Sequence, residues 1–375
     1  MRILETFAQP LGTDQEQEES IDLHHQLNHA GGIAADAVMR VAWQQIYLSR
    51  DDEERRLPNE LEDRLDNAVE HGWGGLEFRH ALGEFGFIVQ WGDPTWLSRN
   101  ASRLWPIGDD PASLSTRRAF LTGYLQQRQW SKSALAALFS LYFDVIQDLP
   151  LDRRLYLAAK PLVEAFVHHL VLGWLNDVEG FDVLLDEFVA KAPDDIRTQF
   201  VRILGRQYIV TAEQDGLDND ATLRKREDYW TRRVAELRSL PIAVPSEELS
   251  AFCSWAARYP GHLRHIEPRL EASINHLSAS QRAVWHLLKG LAERGEAEPL
   301  SAARLLEKLV DRLVGGDQSY WGWHNGQIEE AIDAICRGAL PSHRTHLRRI
   351  VNRLLQSGTA DFSEKLARCG AKRSG

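Results

Sequence analysis

The feature that most constrains the fold of this chain is the spacing of its apolar residues, which recur at intervals of three and four along almost the whole sequence. The spacing is clear at Val38, Ala42 and Ile46, and again at Leu135 and Leu138. Apolar side chains at these intervals share one face of an α-helix. Alternating β-branched runs between hairpin turn residues, which indicate strands, are not evident. The sequence therefore predicts an all-α fold with essentially no sheet.

Prolines mark the starts of several predicted helices, where the missing N–H of proline is least disruptive. Pro58, Pro94, Pro193 and Pro341 all fall at such starts. The predicted helices span residues 33–50, 58–71, 75–90, 94–104, 113–128, 131–148, 151–175, 179–191, 194–211, 219–238, 246–258, 261–277, 280–294, 298–314, 325–338, 342–356 and 361–369. Helices of this length with short connections pack as antiparallel neighbours, and this many exceed what one bundle core holds. We predict an α-solenoid of HEAT/TPR-like antiparallel helix pairs, whose repeats are degenerate because no fixed period with a repeated signature is found.

A joint is predicted at residues 239–245, where two prolines surround a short apolar stretch that cannot continue a helix. It divides the chain into an N-terminal helical repeat subdomain, residues 1–238, and a C-terminal helical subdomain, residues 246–375. The acidic segment at residues 1–30 ends near two consecutive glycines, so its helix is not determined by the sequence. We regard that segment as a candidate flexible region.

Charge is distributed unevenly along the chain, whose net charge is -10. Residues 1–75 hold 16 acidic residues against 6 Lys or Arg, so the remainder sums to zero, yet residues 337–375 carry nine basic residues against two acidic ones. Arg344 and Arg348 lie four residues apart and Arg349 stands beside them, which makes these three candidate nucleic-acid-binding residues. The alternative is a solvated last helix with a basic tail, since interleaved aromatic residues are missing.

The most unusual segment is residues 315–326, which combines three aromatic residues, a histidine and four glycines between two predicted helices. Tyr320, Trp321, Trp323 and His324 could stack on a base or a sugar and are candidate ligand-binding residues. The alternative is that the tryptophans pack against the end of a helix pair, because a chain with 12 Trp already uses this residue freely in packing.

The sequence lacks the common catalytic and metal-binding signatures. It contains no phosphate loop, no dinucleotide fingerprint, no nucleophile elbow and no zinc-protease motif. His25 and His29 have a spacing that can hold zinc, but Gln26 rather than Glu follows His25, and the neighbours His168 and His169 point about 100° apart on a helix. We expect no enzymatic activity, no metal and no cofactor.

The compartment is predicted from cysteines and hydropathy. The three cysteines, Cys253, Cys336 and Cys369, form neither a disulfide framework nor a pair at zinc-finger spacing, which favours a reducing compartment. No apolar run approaches the roughly 18 residues of a membrane span, and the first residues lack the apolar core of a signal peptide. We therefore expect a cytoplasmic protein without a membrane partner.

Residues 79–150 contain an ordered series of helices and short motifs that resembles a known family. The helix at 79–89 is followed by Asp-Pro-Thr-Trp at 93–96, by Leu-Trp-Pro-Ile at 104–107, by a helix with Arg-Ala-Phe-Leu-Thr-Gly-Tyr-Leu at 118–125 and by a Leu-rich helix at 135–145. This order resembles the helical C-terminal regions that follow sirtuin-like or STAND-type NTPase domains in bacterial antiviral defence proteins. The sequence departs from that pattern at Ile107 and at residues 118–120, where the family's Trp is not in place.

The resemblance implies a repeat-like scaffold that contacts a protein partner, such as an effector subunit or a phage protein, while the reaction belongs to a separate effector domain. It carries over no catalytic residue. Our leading hypothesis is a non-enzymatic helical-repeat scaffold or sensor for protein–protein interaction in bacterial antiviral defence. The alternatives are a ligand- or nucleotide-binding helical protein that uses residues 315–326, and a weak nucleic-acid binder that uses the basic C-terminus.

Overall fold

The computed structural model describes residues 30–48, 57–72, 75–126, 130–150, 156–157, 159–213, 219–237, 246–277, 281–314, 324–338, 343–358, 362–364 and 367. These residues form 17 helices and no strand, and 83% of them are helical. The predicted all-α fold is confirmed.

Contacts group the chain into two compact units, residues 1–193 and residues 194–375. The described helices of the N-terminal unit are α1 (Ala30–Leu48), α2 (Asn59–His71), α3 (Gly75–Gly92), α4 (Trp96–Leu104), α5 (Pro111–Gln126), α6 (Lys132–Ala137), α7 (Phe139–Asp148), α8 (Lys160–Leu175) and α9 (Phe181–Lys191). Those of the C-terminal unit are α10 (Asp194–Glu213), α11 (Asn219–Leu237), α12 (Glu247–Cys253), α13 (Leu263–Asn275), α14 (Gln281–Arg294), α15 (Pro299–Val314), α16 (Asn325–Arg337) and α17 (His343–Gln356).

The N-terminal unit is organised around α3, which packs most extensively on α5 and also contacts α1. Gly83 on α3 and Gly123 on α5 allow the two helix backbones to approach closely, because a Cβ atom at either position would collide with the facing backbone. Asp110 directly precedes α5, and its carboxylate accepts a hydrogen bond of 2.9 Å from the Ser113 N–H. The first residue of α5 is Pro111, a residue type that favours helix starts. Helix caps and close backbone contact therefore fix this part of the core.

In the C-terminal unit each helix packs against the helix two positions further along the chain, from α10 on α12 through to α15 on α17. Sequential neighbours such as α12 and α13, or α15 and α16, also touch. Stacked antiparallel helix pairs make contacts of this kind. The finer description as a HEAT/TPR-like solenoid stays a prediction.

Three predicted helices are shorter than the sequence pattern indicated. The helix predicted at 151–175 is interrupted before Lys160, where Ala159 is extended, so α8 begins only at Lys160. The helix predicted at 131–148 is interrupted at Leu138, which ends α6 and begins α7, although apolar spacing continues across the break. The helix predicted at 246–258 ends at Cys253 and is followed by a turn at residues 254–258. Most of the helix predicted at 361–369 lies outside the described residues.

The predicted joint at residues 239–245 also lies outside the described residues. The helices before and after it, α11 and α12, pack against each other, and α11 also packs on α13. The grouping by contacts divides the chain between Pro193 and Asp194, so residues 194–238 belong to the C-terminal unit, whereas the predicted division lay at residues 239–245.

The structure bears on the predictions about membrane spans and about the cysteines. Within the described part of the chain, every helix is too short or too polar to cross a bilayer. Cys253 is a free, fully buried thiol, whereas Cys336 is disulfide-bonded. The cytoplasmic location, which rested partly on reduced cysteines, stays a prediction.

Candidate anion-binding site

A small cleft in the C-terminal unit is lined mainly by cationic side chains. Three segments of the chain supply its walls, namely α10, the turn after α12, and the first half of α14. The polar lining residues are Arg202, Arg206, Ser254, Arg258, Arg282 and His286. Ala251 and Ala283, both buried, complete the wall, and the cavity volume is about 20 Å³.

Two glycines and one tryptophan hold the three segments together. A Cβ atom at Gly205 of α10 would lie 2.4 Å from Nε1 of Trp255, and one at Gly290 of α14 would lie 2.6 Å from the carbonyl carbon of Ala256. Trp255 is fully buried, and its Nε1 donates a hydrogen bond of 3.0 Å to the carbonyl oxygen of Val201. The turn at residues 254–258 is thus fixed between α10 and α14, and it carries the cleft arginine at position 258.

Helical spacing brings the other cationic side chains to the same place. Arg202 and Arg206 lie four residues apart on α10, and Arg282 and His286 lie four residues apart on α14. Residues at this spacing are neighbours on one helix face. Each helix therefore presents two cationic or titratable groups to the cleft.

Acidic side chains do not neutralise this cluster. Arg202 forms one long contact of 3.8 Å with the partly exposed Glu247. Among the described residues, no acidic side chain forms an ion pair with Arg206, Arg258 or Arg282. Arg206, Arg258 and Arg282 consequently share one cleft without a compensating carboxylate among the residues that the structure describes.

The titration behaviour of two lining groups reflects this excess of positive charge. Burial, followed by repulsion from Arg206 and Arg282, lowers the pKa of Arg258. Burial, followed by repulsion from Arg258, Arg282 and Lys289, lowers the pKa of His286 from 6.5 to about 4. His286 is therefore neutral at pH 7, where it offers a hydrogen-bonding ring rather than an additional charge.

The chemistry of the cleft suits an oxyanion. Guanidinium groups are planar donors whose paired N–H groups match the oxygens of phosphoryl, sulfuryl and carboxylate groups. The cavity of about 20 Å³ exceeds the roughly 10–15 Å³ that a single water requires. It admits one small anionic group, so the rest of a larger ligand would lie outside it.

A second charged cluster, centred on Glu248, is structural. Glu248 is completely buried and accepts hydrogen bonds from Nε of Arg197 at 3.0 Å and from Nε and Nη2 of Arg233 at 2.7 and 2.8 Å. These contacts tie α12 to α10 and α11. Glu248 lies on α12, which directly precedes the turn at residues 254–258. The same cluster therefore also fixes the position of the helix from which this turn begins.

The residues predicted as ligand contacts do not line this cleft. Tyr320, Trp321 and Trp323 lie outside the described residues. His324 immediately precedes α16 and is buried, and burial lowers its pKa. A binding role for residues 315–326 stays a prediction.

The predicted nucleic-acid patch lies on α17, which packs on α15. Arg349 lies 3.4 Å from Glu307 of α15, and Arg353 lies 3.6 Å from Asp311. Arg344 and Arg348 form no ion pair with any described acidic residue. Acidic side chains of α15 therefore offset part of the positive charge that the sequence placed at this end.

Histidines that resembled metal ligands do not form a described metal site. His25 and His29 lie outside the described residues. Nδ1 of the buried His169 lies 2.8 Å from the hydroxyl oxygen of Tyr142, within an aromatic core. Groups of three or more His, Cys, Asp or Glu arranged for a metal ion are missing from the part of the chain that the structure covers.

Sequence reasoning missed the cleft, although one signal pointed to it. Arg202, Arg206, Arg258 and Arg282 each lack an Asp or Glu three or four residues away in either direction. Helical arginines without such neighbours have no partner on their own helix face.

Comparison with family models, with curated proteins and with solved structures finds no significant match to this chain. The resemblance to helical regions of antiviral defence proteins therefore stays a prediction.

Proposed function

We propose that this protein is a non-enzymatic helical scaffold or sensor whose C-terminal unit binds the oxyanion group of a ligand in the arginine cleft. The observation that carries the proposal is that Arg206, Arg258 and Arg282 converge on one cavity without an acidic partner among the described residues. Bringing like charges together is unfavourable unless an anion offsets them. An oxyanion removes the repulsion and gains charge-assisted hydrogen bonds.

The lining favours binding over catalysis. Its described residues include no carboxylate, and the hydroxyl of Ser254 donates a hydrogen bond of 2.6 Å to the carbonyl oxygen of Ala251. His286 could act as a base, but the one hydroxyl among the described lining residues, that of Ser254, has its proton engaged by the Ala251 carbonyl oxygen and forms no hydrogen bond with His286. The cleft supplies positive charge and donors, which recognise an anion without transforming it.

Calorimetric titration with pyrophosphate at constant ionic strength tests this proposal. We expect saturable binding to the wild-type protein, and a loss of about 10-fold or more in affinity for Arg258→Ala, since a hydrogen bond to a charged group contributes about 1.5–3 kcal/mol. Arg348→Ala, which removes an equal charge from the exposed face of α17, is the matched control and should bind normally. Equal affinities of all three proteins, or no binding at low salt, would contradict the proposal.

A second observation favours the protein partner that the scaffold hypothesis requires. Helix α1 buries one face and exposes apolar side chains on the opposite face. The buried residues are Ala35, Met39, Ala42 and Ile46. The exposed residues are Ile33, Val41, Trp43, Tyr47 and Leu48. An exposed aromatic and aliphatic face of this kind is typical of protein interaction surfaces.

Our proposal is that α1 contacts the partner, whether an effector subunit or a phage protein. Copurification followed by mass determination of the complex should show a partner with wild-type protein that Leu48→Glu loses. Ile107→Glu makes the same chemical change at a residue that is 94% exposed and belongs to the connection between α4 and α5 rather than to α1, so it should retain the partner. Identical partners for all three proteins would refute a role of α1.

A further inference from the structure

We infer that the ligand of the arginine cleft is a nucleotide, whose phosphoryl group enters the cleft and whose base stacks on Trp285. The inference rests on the proposed oxyanion-binding function and adds the chemical class of the remainder of the ligand. It is carried by the position and exposure of one tryptophan beside the cleft.

The side chain of Trp285 is not buried in the protein core, unlike the apolar side chains around it on α14. The apolar neighbours Val284, Leu287 and Leu288 on α14 are buried, whereas Trp285 remains 39% exposed. Aromatic side chains are enriched at recognition surfaces, where their rings stack on flat groups. The exposed ring of Trp285 is therefore available to a ligand that occupies the cleft.

The ring of Trp285 lies directly beside the cleft wall. Its centroid is 4.8 Å from that of His286, a lining residue, and the two rings meet edge to face. Nζ of Lys289 lies 5.4 Å from the Trp285 ring centroid. A flat group attached to an anion in the cleft would thus reach the indole over a short distance.

Cationic and aromatic side chains alternate along this face of α14. Arg282, Trp285, His286 and Lys289 occupy positions i, i+3, i+4 and i+7, which fall on one helix face. Proteins that bind nucleic acid strands without sequence preference combine two components. Cationic side chains contact the phosphate, and an aromatic ring stacks on the base. Guanidinium groups alone would bind any small oxyanion. In our inference Trp285 provides the selectivity for an oxyanion that carries a base.

The size of the cavity limits the ligand to one phosphoryl group inside it. At about 20 Å³ the cavity has no room for a base or a sugar, so both must lie at its mouth, where Trp285 is exposed. A mononucleotide and the phosphorylated end of a strand share this chemistry.

Paired titrations of the full chain with adenosine 5′-monophosphate and ribose 5-phosphate test the inference, since the two probes differ only in the base. Stacking of a base on an aromatic side chain should make the nucleotide bind about 5- to 150-fold more tightly. In Trp285→Ala this advantage should disappear while ribose 5-phosphate binds as before, and Trp285→Phe should retain part of it. Arg258→Ala should weaken both probes. Trp43→Ala, at a tryptophan 45% exposed on α1, should change neither.

The outcomes separate the two claims. If ribose 5-phosphate binds but the nucleotide is no tighter, or if Trp285→Ala keeps the advantage in a protein with an unchanged circular dichroism spectrum, the nucleotide inference is overturned and oxyanion binding stands. If neither probe binds, the proposed function fails as well. A 5′-phosphorylated hexanucleotide distinguishes the source: affinity well above that of the mononucleotide assigns a strand end, and equal affinity assigns the free nucleotide.

Discussion

The contact between α3 and α5 in the N-terminal unit makes a quantitative prediction about Gly83. A Cβ atom at this position would lie 2.1 Å from the carbonyl oxygen of Phe120 and 2.8 Å from the amide nitrogen of Tyr124. The close approach is reciprocal, because a Cβ atom at Gly123 would lie 2.0 Å from the carbonyl oxygen of His80. Ordinary contact begins at 3.4 Å, so alanine at position 83 requires the facing backbones to separate by 3.4 - 2.1 = 1.3 Å.

Such a separation opens the most extensively packed helix pair of the unit. Overpacking of a core destabilises a protein by about 1–3 kcal/mol, and the upper end applies here because the added Cβ atom meets backbone atoms, which cannot rotate aside. The higher helix propensity of alanine offsets about 1 kcal/mol of that loss. We expect Gly83→Ala to lower the free energy of unfolding of the N-terminal unit by about 2 kcal/mol, which corresponds to a decrease of roughly 4–8 °C in Tm.

Gly86 provides a control on the same helix. Its nearest neighbours to an added Cβ atom are Leu97 at 3.9 Å and Tyr124 at 4.0 Å, so alanine fits there without displacement. Gly86→Ala should leave the unit as stable as wild type or raise its unfolding free energy by up to about 1 kcal/mol. Urea denaturation followed by circular dichroism compares the two variants. Equal stability of Gly83→Ala and wild type, or equal losses in both variants, would refute the reasoning.

Three further substitutions probe the interior. Glu248→Gln should reduce the free energy of unfolding by about 3–5 kcal/mol in urea titrations, because it removes the buried counter-charge of Arg233 and leaves that guanidinium only the partly exposed Glu236; an unchanged midpoint would contradict this. Tyr142→Phe removes the hydroxyl that meets His169 and should lower the unfolding free energy by about 1 kcal/mol, again measured with urea, whereas a gain would show that this hydrogen bond is dispensable. Ser246→Ala removes the side chain that accepts a hydrogen bond at the start of α12 and should cost about 1 kcal/mol, with faster amide exchange in the first turn as its local signature; unaltered exchange there would argue against the cap.

Apolar spacing predicted the helices well because most of them bury one continuous face. The helix predicted at 298–314 is observed at Pro299–Val314, and the one predicted at 194–211 at Asp194–Glu213. The break at Leu138 was not predictable from this pattern, since Leu135, Leu138 and Tyr142 are all buried and keep helical spacing across it. Tertiary packing, which the local pattern does not contain, decides where such a helix is interrupted.

The cleft could not be predicted from local sequence patterns for a different reason. Its arginines come from three segments that are 24 to 80 residues apart in sequence, and their convergence depends on the close approaches at Gly205 and Gly290. Neither glycine has a local signature that distinguishes it from the other 24 in the chain. The absence of acidic residues at helical spacing from each cleft arginine was visible in the sequence, but only the fold shows that these residues share one cavity.

Titration of His286 by nuclear magnetic resonance, with and without sulfate, tests the central claim most directly. The folded-state pKa of His286 lies at about 4, below its ordinary 6.5, because burial and three nearby cations disfavour the imidazolium. A bound oxyanion attracts the imidazolium and offsets those cations, so the sign of its effect is an increase in pKa. Sulfate keeps the same charge over this range, and His286→Gln identifies the signal among 14 histidines.

In chloride buffer we predict that His286 stays neutral until the pH falls towards 4, and that saturating sulfate at equal ionic strength raises its pKa towards 6.5. Arg258→Ala should raise the pKa in chloride, since it removes one of the cations, and should weaken the response to sulfate. A pKa near 6.5 in chloride that sulfate does not change would show that the cleft carries no excess positive charge and binds no anion.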